Sequence, residues 1–357
     1  MSRKTSRPPS HWVLVCWILV GSIVCAAQDE FRMRVETLTV PPATGPLAMV
    51  MVQNAGSASW EGQIVLRPPP SWQLSPDTRT VRLDSGETQR LAFNIARGRN
   101  LETNRYPFEI TAIGPDGQAT HRQQTFVASA PYFRVQVDGR PDEWDDAIPI
   151  SFRTDQRETT ISTYWSRRHF SLLVAVDEQE LVPWDASGRS SFDAIQFDAV
   201  QFALAAVPPP DQPPDLAAAG RFEFLLVATE DGGAKCFRLV TPEMRPDEAA
   251  RPRPLDSLEC DQVEVAVWRN DGITYYECSV PFRLLDNALL PIAGREFFFS
   301  VLVHDPDGTG LRDLAHHAKL WPDRGDPHAW NRWAGGCWQD VSPLGNKIRW
   351  GLCTSKY

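Results

Sequence analysis

From Phe31 onward, apolar and polar positions alternate in short runs rich in β-branched and aromatic residues. The runs recur roughly every 8–12 residues, broken by Pro, Gly and Asp, a spacing that predicts sandwiches or barrels. Helical periodicity is almost absent, and 30 Pro with 22 Gly leave little room for long helices. Strands are expected over 49–54, 62–66, 80–83, 89–95, 106–113 and 123–127. A short joint, Ser129-Ala130-Pro131, then leads into a second and larger set of strands. Two Pro-rich stretches without hydrophobic period, 206–220 and 241–257, read as surface loops that either frame a binding face or merely decorate it. A chain of 357 residues accommodates two such domains, each with a substantial core.

Residues 1–27 stand apart from this pattern. Arg3, Lys4 and Arg7 precede a mostly apolar stretch from Trp12 to Val24, and Cys25-Ala26-Ala27 supplies small residues for cleavage before Gln28. As a helix the apolar stretch spans about 20 Å, short of a bilayer core of roughly 30 Å. A cleaved signal peptide is therefore the first expectation. An uncleaved anchor is the second, and a lipoprotein anchor on Cys25 is disfavoured by bulky Val24. No later segment reads as a membrane span. The protein is expected to be secreted, or to reside in the periplasm or cell envelope.

Loss of the leader's three basic residues takes the net charge from −9 to −12, which argues against a nucleic-acid partner and suits an exported protein or a cation binder. Five cysteines remain after residue 27: Cys236, Cys260, Cys278, Cys337 and Cys353. None forms a CxxC pair, so a zinc site is not expected. Export permits disulfides, and Cys337 with Cys353 could tie down the C-terminal segment; buried free thiols are the alternative.

Several ordered motifs sharpen the picture. Val137-Asp138-Gly139-Arg140-Pro141-Asp142-Glu143-Trp144-Asp145 reads as a strand, an Asp-Gly turn and an acidic turn around one tryptophan. Thr163-Tyr164-Trp165 is followed by the run from Phe170 to Asp177, then Trp184, then the run from Asp198 to Leu204, which Phe192–Phe197 nearly duplicates. Further on come 221–227, the hairpin Trp268 to Pro281 around Gly272, Phe298 to Asp307, Trp321-Pro322-Asp323, Leu344-Gly345 and Ile348-Arg349. In this order the motifs resemble the family 9 carbohydrate-binding modules. In the first domain, Val52-Gln53-Asn54-Ala55-Gly56 before Trp60, and the stretch from Pro70 to Pro76 followed by Leu83 to Thr88, resemble the Ig-like NEW3-type domains that accompany glycoside-active proteins. The implied fold is all-β: a signal peptide over 1–27, an Ig-like β-sandwich spacer over 28–129, and a larger family 9-like β-sandwich over 130–357.

Sugar recognition needs flat apolar faces for the C–H side of a pyranose and planar polar groups for its hydroxyls. Two of the 13 tryptophans, Trp12 and Trp17, lie in the leader. The resemblance implies a terminal ring clasped between two tryptophans, here Trp184 on one side and Trp333 or Trp338 on the other, with Gln201, Glu223, Asn331 and Arg332 as hydrogen-bonding partners. The competing reading places these tryptophans in the core, where Trp144 and Trp165 are expected. A second candidate is His304-Asp305-Pro306-Asp307-Gly308-Thr309-Gly310 with Asp313. Alternating oxygen side chains around a glycine suit a hard cation, and the resembled family often carries structural Ca2+. Asp305, Asp307, Thr309 and Asp313 are the candidate ligands. His316 stands where an EF-hand closes with Glu, which leaves a looser calcium loop or a plain Asp-Gly turn.

His316 and His317 are adjacent and would face opposite sides of a strand, and no HExxH is present. Met244 is the sole methionine of the second domain, which speaks against haem, and hydrogen-bonding or solvated histidines are expected instead. Neither GxSxG nor a Cys/His nucleophile pattern occurs, so no enzyme is expected. Two functions remain: an exported, non-catalytic protein that binds a polysaccharide or terminal sugar, or an envelope or surface scaffold of the same fold that docks to proteins and binds no sugar.

Overall fold

The computed structural model describes residues 31–45, 47–115, 117–185, 195–207, 221–249, 251, 253–285, 289–314 and 347–356. Almost every element is a strand. The first eight are β1 (Phe31–Val35), β2 (Leu47–Asn54), β3 (Trp60–Arg67), β4 (Gln73–Leu74), β5 (Thr78–Leu83), β6 (Thr88–Arg97), β7 (Tyr106–Gly114) and β8 (Gly117–Thr125). They form two four-stranded sheets, ordered β1-β2-β6-β4 and β5-β3-β7-β8, around one core. The period-2 pattern explains the layering: Ala48, Val50 and Val52 of β2 meet Ile64 and Leu66 of β3 while the residues between them turn outward. Trp72, which follows a Pro turn, is buried against Tyr106 and Phe108. Asn54 closes the neighbouring turns, its Nδ2 donating to Ala58 O at 2.7 Å and its Oδ1 accepting from Gly56 N–H at 3.1 Å.

The second group comprises β9 (Ser129–Ala130), β10 (Ile150–Thr154), β11 (Arg157–Trp165), β12 (His169–Asp177), β13 (Ala199–Ala206), β14 (Phe222–Ala228), β15 (Ala234–Val240), β16 (Glu264–Asn270), β17 (Ile273–Pro281), β18 (Glu296–Asp305), β19 (Gly310–Asp313) and β20 (Ile348–Leu352). One sheet runs β10-β11-β12-β17-β16; the other runs β15-β14-β13-β18-β20-β9, with β19 also paired to β18. Between them lies the main core. Val200, Phe202 and Leu204 with Phe224, Phe299 and Val301 face Ile161, Phe170, Leu172, Val174 and Tyr276. Fully burying one such side chain stabilises the fold by about 1.5–3 kcal/mol. The β16–β17 hairpin turns through Asp271 (φ 48°) and Gly272 (φ 82°), the backbone a two-residue type I′ turn requires.

Two sequence expectations need correction. Residues 134–138 are not a strand: their pairing groups are diverted to carboxylates, Gln136 N–H to Glu143 at 2.8 Å and Gly139 N–H to Glu277 at 3.2 Å. The segment is a strap over the outer face of the five-stranded sheet, where Trp144 stacks on Tyr164 at 5.0 Å. Trp144 and Trp165 are both buried. Nor is 241–257 only a surface loop. It carries a helical turn, α1 (Pro246–Ala249), and its Ala249 and Leu255 pack with Trp184, Leu225 and Phe237 on the outer face of the larger sheet.

The two sandwiches are bonded to each other. Thr37 Oγ1 donates to Arg349 O at 2.9 Å, Thr39 Oγ1 to Glu296 at 2.8 Å, and Asn104 Nδ2 to both Val127 O and Pro149 O at 2.9 Å. Gly351 of β20 meets this seam so closely that a Cβ there would lie 2.0 Å from Thr39 O. A backbone carbonyl cannot swing aside as a side chain can. Gly351→Ala is therefore expected to cost about 3 kcal/mol, the upper end of overpacking penalties, read as a fall in urea midpoint at unchanged m-value. An unchanged midpoint would mean that the seam yields.

Candidate functional site

Two strands of the larger sheet and one of the smaller end or begin with acidic or polar side chains at the same end of the sandwich. Asp198 precedes β13, His304 and Asp305 close β18, and Glu178 follows β12 in the opposite sheet. Sheet register makes them neighbours: Ala199 pairs with His304, and β12 runs beside β17. One carboxylate oxygen from each of Glu178, Asp198 and Asp305 lies within 4.8 Å of the other two, and all three residues are buried. Oxygens that share a calcium ion are each about 2.4 Å from it, and so within about 5 Å of one another.

The cluster is incompletely satisfied. Asp198 Oδ2 accepts from Val182 N–H at 2.6 Å, but its Oδ1 has no hydrogen-bond partner. Glu178 Oε1 has a long contact of 3.5 Å with Arg269, and its Oε2 has none. The hydroxyl of Tyr276, buried beside them, is also unpartnered. Burial, reinforced by the neighbouring carboxylates Asp198 and Asp305, pushes the Glu178 carboxyl up to about 8. Burial again, with Asp307 and Asp305 nearby, pushes Asp198 up to about 7. Asp305 differs. Burial raises it, but donors from Thr309 and Arg312 outweigh that and hold it below its ordinary value. Orphaned buried carboxylate oxygens gathered at this spacing fit a hard divalent cation, which would supply the missing positive charge.

The sequence-derived calcium ligands fall differently. Asp305 is in the cluster, and Thr309 serves it as a donor through N–H (3.0 Å) and Oγ1 (2.8 Å). Asp307 is exposed and Asp313 is half-buried on β19, paired with Leu302. Within the loop, Thr309 is thus bonded to Asp305. Glu178 was not singled out from the sequence and Asp198 was read only as a strand motif. The available signal was that three separate β-runs carry an acidic residue at the same structural end.

A second constellation lies on the outer face of the larger sheet. Arg221 Nε donates to Glu223, Gln201 Nε2 donates to Glu223 Oε2 at 2.9 Å, and Gln201 Oε1 meets His304 Nε2 at 2.9 Å. This chain of planar groups crosses β14, β13 and β18 beside the small side chains of Ala199, Ala203 and Ala205, a floor that is itself buried. Phe298 adjoins it, with Lys347 Nζ and the Arg349 guanidinium each 5.4 Å from its ring centroid. Gln201 and Glu223 are 0% exposed. Burial drives His304 down to about 4, so it is neutral at physiological pH. Desolvation, aided by Arg221, lowers Lys347 to about 7.

The structure therefore brings Gln201 and Glu223 together. Trp184 is on the same outer face, in the cluster that includes Ala199, buried edge-on against Phe237 at 5.1 Å with Lys235 over its ring. Asn331, Arg332, Trp333 and Trp338 lie outside the described residues, as does Cys337. Cys353 is a buried free thiol.

No protein-family model matches the chain, and no curated protein sequence matches it either. Among solved structures it is similar to a family 9 carbohydrate-binding module from Caldicellulosiruptor kristjanssonii in complex with glucose: 12% identity over 63% of this chain and 95% of that one, TM-score 0.35. A structure of such a module from the same organism with cellotriose gives 14% identity, coverage of 64% and 93%, and TM-score 0.35. Among the described residues no helix is long and apolar enough to cross a membrane.

Proposed function

We propose that this is an exported, non-catalytic carbohydrate-binding protein that grips a terminal sugar over the alanine floor of β13. The observation that supports this reading is the planar polar chain Arg221–Glu223–Gln201–His304 beside that floor. Amide, carboxylate and guanidinium groups hydrogen-bonded in a row suit the paired hydroxyls of a pyranose, and the Phe298 ring offers an apolar flank. Trp333 and Trp338 remain the proposed stacking partners. Because Gln201 and Glu223 are fully covered, this face has to open before a sugar enters, and association should be slower than for a preformed groove.

The test is a glycan array on the mature full-length chain in calcium, followed by calorimetry on the sugar class found. Glu223→Gln should weaken binding about tenfold or more, a loss of roughly 1.4 kcal/mol, while leaving the fold intact by circular dichroism. Affinity unchanged in this variant would move the site away from the β13 face. A blank array would favour the scaffold reading, in which the same network serves only to fix the sheet.

The same reading includes a structural calcium ion held by Glu178, Asp198 and Asp305. Those residues would bind it through carboxylate oxygens, and its charge would tie the end of the five-stranded sheet to the end of the larger one.

A further inference from the structure

Three buried thiols of the second sandwich converge at the closed edge between its sheets: Cys236 of β15, Cys260 ahead of β16, and Cys278 of β17. Each is a free thiol here, and all three belong to the main core. The first two stand in a specific relation. Phe237 and Glu259 form an isolated antiparallel bridge, and Cys260 N–H donates to Cys236 O at 2.8 Å. One step along this pairing sets Cys236 directly opposite Cys260.

Directly opposed residues of an antiparallel pair project from the same face. The packing agrees: Phe237 joins Trp184 on the outer face, whereas Cys236 and Cys260 both enter the main core. The Cα atoms of a hydrogen-bonded pair are about 5.5 Å apart, inside the roughly 4.4–6.8 Å range that disulfides span. Cys278 comes from the opposite sheet, paired there with Leu172 and Val265, and so approaches the pair from across the core.

We propose that Cys236 and Cys260 are joined by a disulfide when the chain folds in an oxidising compartment, leaving Cys278 as a thiol. The bond closes the base of the 237–259 segment, whose Ala249 and Leu255 cover the outer face of the larger sheet. In the reaction the two thiols give up two protons and two electrons. An external disulfide, free or carried by a thiol–disulfide oxidoreductase, accepts them and departs as two thiols, the S–S bond passing from it to the protein. The exchange precedes closure of the core. At 3% and 8% exposure neither sulfur is reachable once the sandwich has formed, and burial keeps Cys236 in its unreactive thiol form.

The experiment folds the mature full-length chain in a glutathione redox buffer and, in parallel, under reductant. Each sample is then denatured, alkylated without reduction, digested and analysed by mass spectrometry. The expected product is a peptide pair linked through Cys236 and Cys260, with Cys278 alkylated. The oxidised protein should melt about 5–10 °C above the reduced one, the effect of closing a loop of this length. Cys236→Ala and Cys260→Ala should each abolish that difference. Complete alkylation after oxidative folding, a link that involves Cys278, or equal melting of oxidised and reduced protein would overturn the proposal. If the single variants fail to fold, the peptide map of the unmodified chain decides alone.

Discussion

Arg312→Met should destabilise the protein by about 3–5 kcal/mol, the penalty typical of breaking a buried ion pair from one side. Arg312 is fully buried on β19. Its guanidinium contacts Asp305 and donates to Thr309 Oγ1 at 2.6 Å, to Asp177 O at 2.8 Å and to Thr159 Oγ1 at 3.5 Å. It thus reaches from the larger sheet to β11 and β12 of the smaller one. Methionine retains most of the stem's packing but leaves Asp305 charged without its counter-ion and a buried carbonyl without its donor. Guanidinium denaturation reads the loss directly. Adding Asp305→Asn should recover part of it, because the uncompensated charge is then gone. A double variant that loses the simple sum of the two single effects would show that Arg312 and Asp305 are not energetically coupled.

Chelation should also destabilise the protein. A cation present at one hundred times its dissociation constant adds about 2.7 kcal/mol to the folded state. For a domain of this size that corresponds to a fall in Tm of about 5–10 °C when EDTA removes calcium. Asp198→Asn separates this reading from its rival, since each predicts an opposite sign. If the trio holds a cation, the amide lowers the calcium-loaded Tm and abolishes the response to EDTA. If the three carboxylates merely repel one another, the amide relieves that repulsion and raises Tm in every buffer. A Tm indifferent to both EDTA and added calcium would remove the ion.

What the sequence disclosed follows from how local each feature is. The β16–β17 hairpin was legible because an Asp-Gly turn and flanking alternation fall within fourteen residues, from Trp268 to Pro281. Of the six expected strands, 49–54, 62–66, 80–83, 89–95 and 106–113 correspond to β2, β3, β5, β6 and β7, whose polar outer faces preserve the period, while 123–127 overlaps only the end of β8. Of the competing copies 192–197 and 198–204, the second contributes β13, while 186–194 lies outside the described residues. The strap over 131–149 imitated a strand, because buried Val135 and half-buried Val137 alternate with polar neighbours. Where its N–H groups go is decided by Glu143, seven residues along, and by Glu277, which no local window contains. The carboxylate trio was hidden for the same reason. Glu178, Asp198 and Asp305 are distant in sequence, and only the pairing of β13 with β18 and the facing of the two sheets bring them together. Gln201 and Glu223 were identifiable as planar polar residues inside apolar strands. That they bond to each other required the register of β13 with β14.

The placement of β20 has a consequence for biosynthesis. It lies inside its sheet, between β18 and β9, and Gly351 presses on Thr39 of the first sandwich. The segment that joins the earliest and latest parts of the fold is thus made after every other strand described. A nascent chain lacking 348–352 leaves β18 with an open edge and the seam between sandwiches unsealed. Vectorial folding can complete the first sandwich as it emerges, but the second cannot lock until this strand arrives. Completion of the larger sheet and of the seam between sandwiches therefore waits on the last described strand.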